Sequence, residues 1–205
     1  TSIWWPTSVY RDWPVLVPWV VRDPSCRGDR KKDVPDQWSE PNAAGYLRDD
    51  NSLIKSLPRA LGVDGPPGSH LRGAKMGSEF VASHVWREVD HDQLASRLPE
   101  LNSFVPNLVW LPKQVAKLSD LEGGPVQRAL QSMAWSLYRD VPVAAHLADI
   151  VEHSWSLLPV PPNRDVNPEV LNWFVVSENF RSTRKKRLEA VVEALRLLRD
   201  GGTLE

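Results

Sequence analysis

EFVASHVW over residues 79–86 and NLVWLPKQVAKLSD over residues 107–120 are the two stretches that decide the fold. In the first, Phe80, Val81, Val85 and Trp86 supply the apolar content of a strand that carries His84. In the second, Asn107-Leu108-Val109-Trp110-Leu111 reads as another strand. Pro112 suits the first turn of a helix, which is expected to run to about Ser119. Glu88–Pro106 between them is a polar loop with a helical turn. The order is therefore strand, loop, strand, helix.

Upstream, Pro6, Pro14, Pro18, Pro24, Pro35 and Pro41 interrupt the first 47 residues. Proline blocks long helices, so short extended pieces and loops are expected there, with one edge strand in the apolar run Val15–Val21. A short helix is expected over Asn51–Leu57, with Asn51 as its N-cap. Gly62–Gly68 is a loop. Downstream of Gly123-Gly124-Pro125 the pattern becomes helical over 125–139, 143–157, 168–177 and 183–199. In the last of these, Leu188, Val191, Val192, Leu195 and Leu198 recur at helical spacing. The expectation is a mostly helical α+β chain in three parts: a Pro/Trp-rich wrap over 1–47, a strand–strand–helix core over 48–122 and a helical scaffold over 123–205.

Composition narrows the function. The 205 residues carry 25 basic and 26 acidic groups, one cysteine, eighteen prolines and ten tryptophans. The lone Cys26 excludes a disulfide framework or a multi-cysteine zinc staple within the chain, and with no histidine close in sequence it reads as incidental. No run of about 18 apolar residues exists, so no membrane span is expected. No secretory leader is visible, which makes the cytoplasm the expected location. No GKS or GKT loop and no Gly-x-Ser-x-Gly elbow is present, which argues against the common nucleotide-binding enzymes and serine hydrolases. Near-neutrality argues against a nonspecific nucleic-acid coat. Charge is uneven, however: residues 48–87 carry six basic against four acidic groups, and 88–160 five against nine. Any DNA contact must use a localised surface. The dispersed tryptophans point to core packing, Trp86 and Trp110 included, rather than to a base-stacking platform.

The Glu79–Asp120 segment resembles the ββα-metal (HNH) nuclease motif of bacterial restriction-type enzymes, over roughly 42 of the 205 residues. The resemblance implies a ββα-metal core within a helical scaffold. It implies a DNA endonuclease of restriction or defence type, which hydrolyses phosphodiester bonds with a histidine-activated water and a divalent metal ion (Mg, Mn or Zn). On this sequence His84 takes the place of the general base, and Asn107 that of the residue bracing the loop. Asp120, thirteen residues after Asn107, takes a metal-ligand place. An imidazole with a pKa near 6.5 suits proton abstraction from water. Ser83, before the base, takes a second metal-ligand place, though as a weaker ligand than the family usually has there, and the pattern departs from the family at Ala116, nine after Asn107, where a metal ligand is usual. Glu79, Asp90, His91 and Asp92 are nearby substitutes, and the alternative implied is a catalytically inactive DNA-binding or protein-interaction module.

Double-stranded DNA is the expected partner. Cutting both strands of a duplex usually calls for two active sites, an arrangement that a homodimer would supply. Arg72, Lys75 and Arg87, beside the His84 strand, and Lys55, ahead of it, are expected phosphate contacts. Arg184 and Lys185 belong to the basic run Arg181–Arg187, which opposes the dipole of the last helix unless an anion lies near. His146, Asp149 and His153 could share a helix face as a metal ladder, but Leu147, Ile150, Val151 and Trp155 mark that helix as a packing one.

Overall fold

The structure, a computed structural model, describes residues 2–28, 41–89, 93–162 and 166–199. It divides into a unit over Thr1–Phe174 and a second over Val175–Glu205. Helix and strand are mixed, at 45% and 18%. None of the described helices is long and apolar enough to cross a membrane.

A five-stranded sheet organises the first unit. Its strands are β1 (Ile3–Trp4), β4 (Gly62–Asp64), β5 (Phe80–His84), β8 (Leu108–Pro112) and β9 (Asn172–Val175), in the order β4-β9-β1-β8-β5. Two further pairs complete the strands: β2 (Val20–Arg22) beside β3 (Leu47–Asp49), and β6 (Glu88–Val89) beside β7 (Gln93–Leu94). The N-terminal segment is thus no peripheral wrap. Ile3 and Trp4 form the middle strand, parallel to β9 (Ile3 opposite Asn172) and antiparallel to β8 (Ile3 opposite Trp110). Asn172-Trp173-Phe174-Val175, expected within a helix over 168–177, is a strand instead, preceded by a 3-10 turn over Pro168–Val170. Its aromatic and β-branched residues suit a pleated surface, and pairing with β1 overrides the helical spacing. The boundaries expected at 47/48 and 122/123 do not coincide with the division at 174/175.

Apolar side chains from distant segments meet on this sheet. Trp5 packs edge-on against Trp110 with ring centres 5.7 Å apart, and Phe174 lies 4.9 Å from Trp5 and 5.1 Å from Trp110. A second cluster joins α1 (Thr7–Asp12), α5 (Pro125–Tyr138) and α6 (Ala148–Ser156). Tyr10 and Tyr138 are 5.4 Å apart, and Trp155 touches Phe104, Trp86 and Trp135 at 5.3, 6.0 and 5.2 Å. Polar tips within it are satisfied: Trp155 Nε1 donates to the Tyr10 hydroxyl at 2.9 Å, and the Tyr138 hydroxyl donates to the Trp5 carbonyl at 2.5 Å. Trp4, Trp5, Trp86 and Trp110 are fully buried and Trp155 nearly so, which puts these five in the core; Trp13, Trp19, Trp135 and Trp173 are half-buried, and Trp38 lies outside the described residues.

Two local departures shape the neighbourhood of His84. α2 (Ser52–Ser56) forms where expected, but Asn51 does not cap it. Asn51 takes a left-handed backbone (φ 62°), and Asp49 caps instead, accepting from Leu53 N at 2.9 Å and from the Ser52 hydroxyl. The helix expected from Pro112 stops early. α4 (Lys113–Ala116) passes into a 3-10 turn over Lys117–Asp120, with the Ser119 hydroxyl donating back to the Ala116 carbonyl at 2.6 Å. A glycine turn follows, in which Gly123 has φ 66° and a Cβ on Gly124 would meet the Leu121 carbonyl at 2.8 Å. α3 (Pro99–Asn102) lies in the loop between β7 and β8.

In the second unit, α7 (Glu178–Arg199) is capped at its start by the Ser177 hydroxyl, which accepts from Phe180 N at 3.2 Å. Its surface carries the pairs Lys185–Glu189 at 3.9 Å and Glu193–Arg196 at 3.6 Å.

Candidate active site

β5 and β8 run antiparallel in register from Phe80 opposite Pro112 to His84 opposite Leu108, and α4 follows β8 directly. A half-open pocket of about 480 Å³ lies against this unit, lined by Ser83 and His84 of β5, Ala116 of α4 and Asp120 of the 3-10 turn. The same lining includes Arg22 of β2, Arg87, Lys113 and Lys117, with Asn51 from the turn before α2.

His84 is half-buried at the end of an edge strand. Its Nε2 lies 2.9 Å from the main-chain carbonyl of Asn102. A carbonyl oxygen can only accept, so Nε2 carries the hydrogen, which leaves Nδ1 as the lone-pair nitrogen. Burial lowers the pKa to about 4, and the charge of Arg22 pushes the same way against the favourable bond to Asn102. The ring is therefore neutral, and able to take a proton, at neutral pH.

Asn107 is fully buried in the 3-10 turn Val105–Asn107 ahead of β8. Its Nδ2 donates to the Leu101 carbonyl at 3.0 Å, and its Oδ1 accepts from Trp86 N at 2.7 Å. Its main-chain carbonyl accepts from Val85 N at 3.0 Å. These bonds tie the loop to the backbone just beyond His84. The N-terminal segment secures the same loop from behind: Leu16 N donates to the Ser103 carbonyl at 2.9 Å, and Val17 N to the Ser103 hydroxyl at 2.8 Å.

Asp120 is exposed, and among the described residues its carboxylate is unpaired; its main-chain carbonyl accepts from Arg87 Nη1 at 2.7 Å. Ser83 and Ala116 are both buried, and the alanine methyl offers no donor. Glu79 is exposed beside Lys113 at 3.9 Å. Asp90, His91 and Asp92 lie outside the described residues. Among the described residues no group of three or more His, Cys, Asp or Glu could hold a metal ion, His146, Asp149 and His153 included.

No family model matches the chain, and neither does any of the curated proteins or solved structures compared with it.

The pocket's charge is one-sided: Arg22, Arg87, Lys113 and Lys117 face the single carboxylate of Asp120. Such a lining attracts an anion, and the two guanidinium groups offer forked donors to phosphate oxygens. Of the cations expected from sequence, only Arg87 is here. Arg72 and Lys75 flank β4, with Lys75 bridged to Gly62 and Arg72 paired with Asp64 at 3.4 Å. β4 is the opposite edge strand, four strand spacings or roughly 19 Å from β5. Nearness in sequence to β5 is undone by the turn at Ser78-Glu79. Lys55 is half-buried on α2 and does not line the pocket. Arg184, which is buried, and Lys185 belong to the second unit.

Lys113 and Lys117 had a legible signal. With Ala116 and Asp120 they sit at i, i+3, i+4 and i+7, a single helical face. Arg22 had none, because the parallel pairing of β2 with β3 delivers it, with an Asp50 contact at 3.6 Å. Asn51 had none either. Its Oδ1 is buried without a hydrogen-bond partner, and its backbone is left-handed, a conformation that asparagine adopts more readily than most residues.

Proposed function

We propose that the chain is a DNA endonuclease in which His84 activates water for attack on a backbone phosphate. The observation that carries the reading is the pocket: a histidine with one nitrogen fixed and the other open, an unpaired carboxylate and four cations share it. The antiparallel β5–β8 pair followed by α4 supports a ββα-metal core.

The chemistry follows from the placement. The cations draw the phosphodiester into the pocket and hold its oxygens. His84, kept neutral by burial and aligned by Asn102, takes the proton of the attacking water at Nδ1. Asn107 keeps the His84 strand and the loop in fixed relation, which maintains that alignment. Asp120 suits a magnesium-like cation, which binds through one or two carboxylates and keeps most of its water. Such an ion, when bound, neutralises charge gathering on the phosphate and on the leaving 3′ oxygen.

The test is cleavage of supercoiled plasmid across Mg²⁺, Mn²⁺ and Zn²⁺. His84→Ala should abolish cleavage while DNA binding persists, and Asp120→Ala should remove the dependence on divalent metal. Cleavage by His84→Ala at the wild-type rate would sink the assignment. Ala116 favours a second reading, an inactive nuclease-like DNA-binding module. That reading predicts salt-sensitive DNA affinity with no cleavage under any metal.

A further inference from the structure

β5 is an edge strand: β8 pairs with one side of it, and among the described residues no strand pairs with the other. The bonds at its two ends fix which way its main-chain groups face. Lys113 N donates to the Glu79 carbonyl at 2.9 Å, and Val85 N donates to the Asn107 carbonyl at 3.0 Å. Bonded positions alternate in an antiparallel pair, so Val81 and Ser83 turn their main-chain groups toward β8. Ala82 and His84 turn theirs away from it, to the open edge. Among the described residues neither the Ala82 N–H nor the His84 N–H has a hydrogen-bond partner. Val81, Ala82, Ser83 and His84 all line the pocket. Side chains of successive strand residues point to opposite faces, so a cavity that touches all four runs along the strand's edge rather than over one face. The two free N–H groups therefore open into the cavity that carries the four cations.

We propose that the open edge of β5 is a phosphate track, in which the Ala82 and His84 N–H groups donate to two successive backbone phosphates of the DNA strand, the scissile one at His84. This rests on reading the pocket as a nuclease site. An unpaired strand edge ordinarily recruits another strand. The charge argues against a second copy of β5, whose pairing would set four cations against four, and favours a polyanion. Main-chain N–H groups are regular donors to phosphate oxygens. The two N–H groups lie two residues apart, about 7 Å along an antiparallel strand, which is close to the step between neighbouring phosphates of a nucleic-acid strand. The Ala82 carbonyl, emerging between them on the same edge, faces the intervening sugar, whose C–H groups are compatible neighbours for it. Arg22, Arg87, Lys113 and Lys117 supply charge, and the edge supplies register. Its donors cannot swing aside as lysine side chains can, so they fix which phosphate stands beside the His84 ring. No base edge takes part, so the contact is independent of DNA sequence.

The experiment is binding of a short fluorescein-labelled DNA duplex, in EDTA to prevent metal-dependent cleavage, by the wild type and by Ala82→Pro. Proline removes this N–H and is tolerated on an edge strand where the N–H faces outward. Affinity should fall about tenfold or more, the worth of a hydrogen bond to a charged acceptor. The slope of log affinity against log salt should stay at its wild-type value, because no cation is lost. In ¹⁵N spectra of the wild type, the Ala82 and His84 amides should exchange rapidly with solvent and move downfield on adding the duplex. The Val81 and Ser83 amides, bonded to β8, should be protected and move little. Wild-type affinity in Ala82→Pro, or Ala82 and His84 amides that are protected in the free protein or unmoved by DNA, would overturn the proposal. Should the proline variant fail to fold, the wild-type amides decide the matter. Failure of the nuclease reading is separate: it appears as no cleavage under any metal while the edge amides still respond to DNA. A wild type that binds no DNA overturns both.

Discussion

Acidification is the perturbation that tests the burial of His84 most directly. The folded protein holds this ring at a pKa of about 4, against an ordinary value of 6.5. Between those values the unfolded chain binds a proton that the folded chain does not, so stability must fall as the pH drops. The contribution is fully present above pH 6.5 and is lost progressively down to pH 4. Going from pH 7 to pH 4.5 should therefore cost about 2.5 kcal/mol from this group alone, an upper figure because the ring is only half-buried. Urea unfolding followed by tryptophan fluorescence suits the measurement, since Trp4, Trp5, Trp86 and Trp110 leave a fully buried state. His84→Gln is the comparison, because it keeps an N–H for the Asn102 carbonyl and does not titrate. All other groups titrate alike in both proteins, so the wild type should lose about 2 kcal/mol more than the variant over that range. Equal losses in the two proteins would refute the reasoning.

Asn107→Ala should destabilise by about 2–4 kcal/mol in the same assay, because Trp86 N and the Leu101 carbonyl both lose a buried partner. Tyr138→Phe should cost about 1–2 kcal/mol by urea unfolding, through loss of the hydroxyl bond to the Trp5 carbonyl. For DNA binding, Lys113→Ala and Lys117→Ala should each reduce the slope of log affinity against log salt by about one, whereas Arg72→Ala and Lys75→Ala, on the far edge of the sheet, should leave it unchanged.

The elements legible in the sequence are those whose cause is local. The strand read over 79–86 appears as Phe80–His84, and the one read over 107–111 as Leu108–Pro112, whose continuous apolar run suits a strand buried on both faces. The helix after Gly123-Gly124 begins at Pro125, as its punctuation requires. Within the longer helix expected over 143–157, a 3-10 turn at Ala145–Leu147 precedes α6. β1 and β9 were illegible for a shared reason. Two residues, Ile3 and Trp4, give no periodicity, and Val170, Leu171 and Phe174 fall at helical spacing until a parallel partner claims the segment. The site divides along the same line. His84, Asn107 and Asp120 lie on one contiguous strand–loop–strand–helix segment. Arg22 and Asn51 come from parts of the chain distant in sequence from that segment, which no local pattern records.

The central position of Ile3-Trp4 has a consequence for how the protein is made. Its partners are Trp110 and Asn172, so the strand waits after its own synthesis for nearly the whole sheet-forming sequence. At translation rates of about 5–20 residues per second, that delay is roughly ten to thirty seconds. Trp110 becomes available part-way through that delay but Phe174 only at its end, and the pairings that bury Ile3-Trp4-Trp5 are of the long-range kind that form slowly. The pairing of Ile3-Trp4 in the sheet is complete only when Asn172–Val175 emerges.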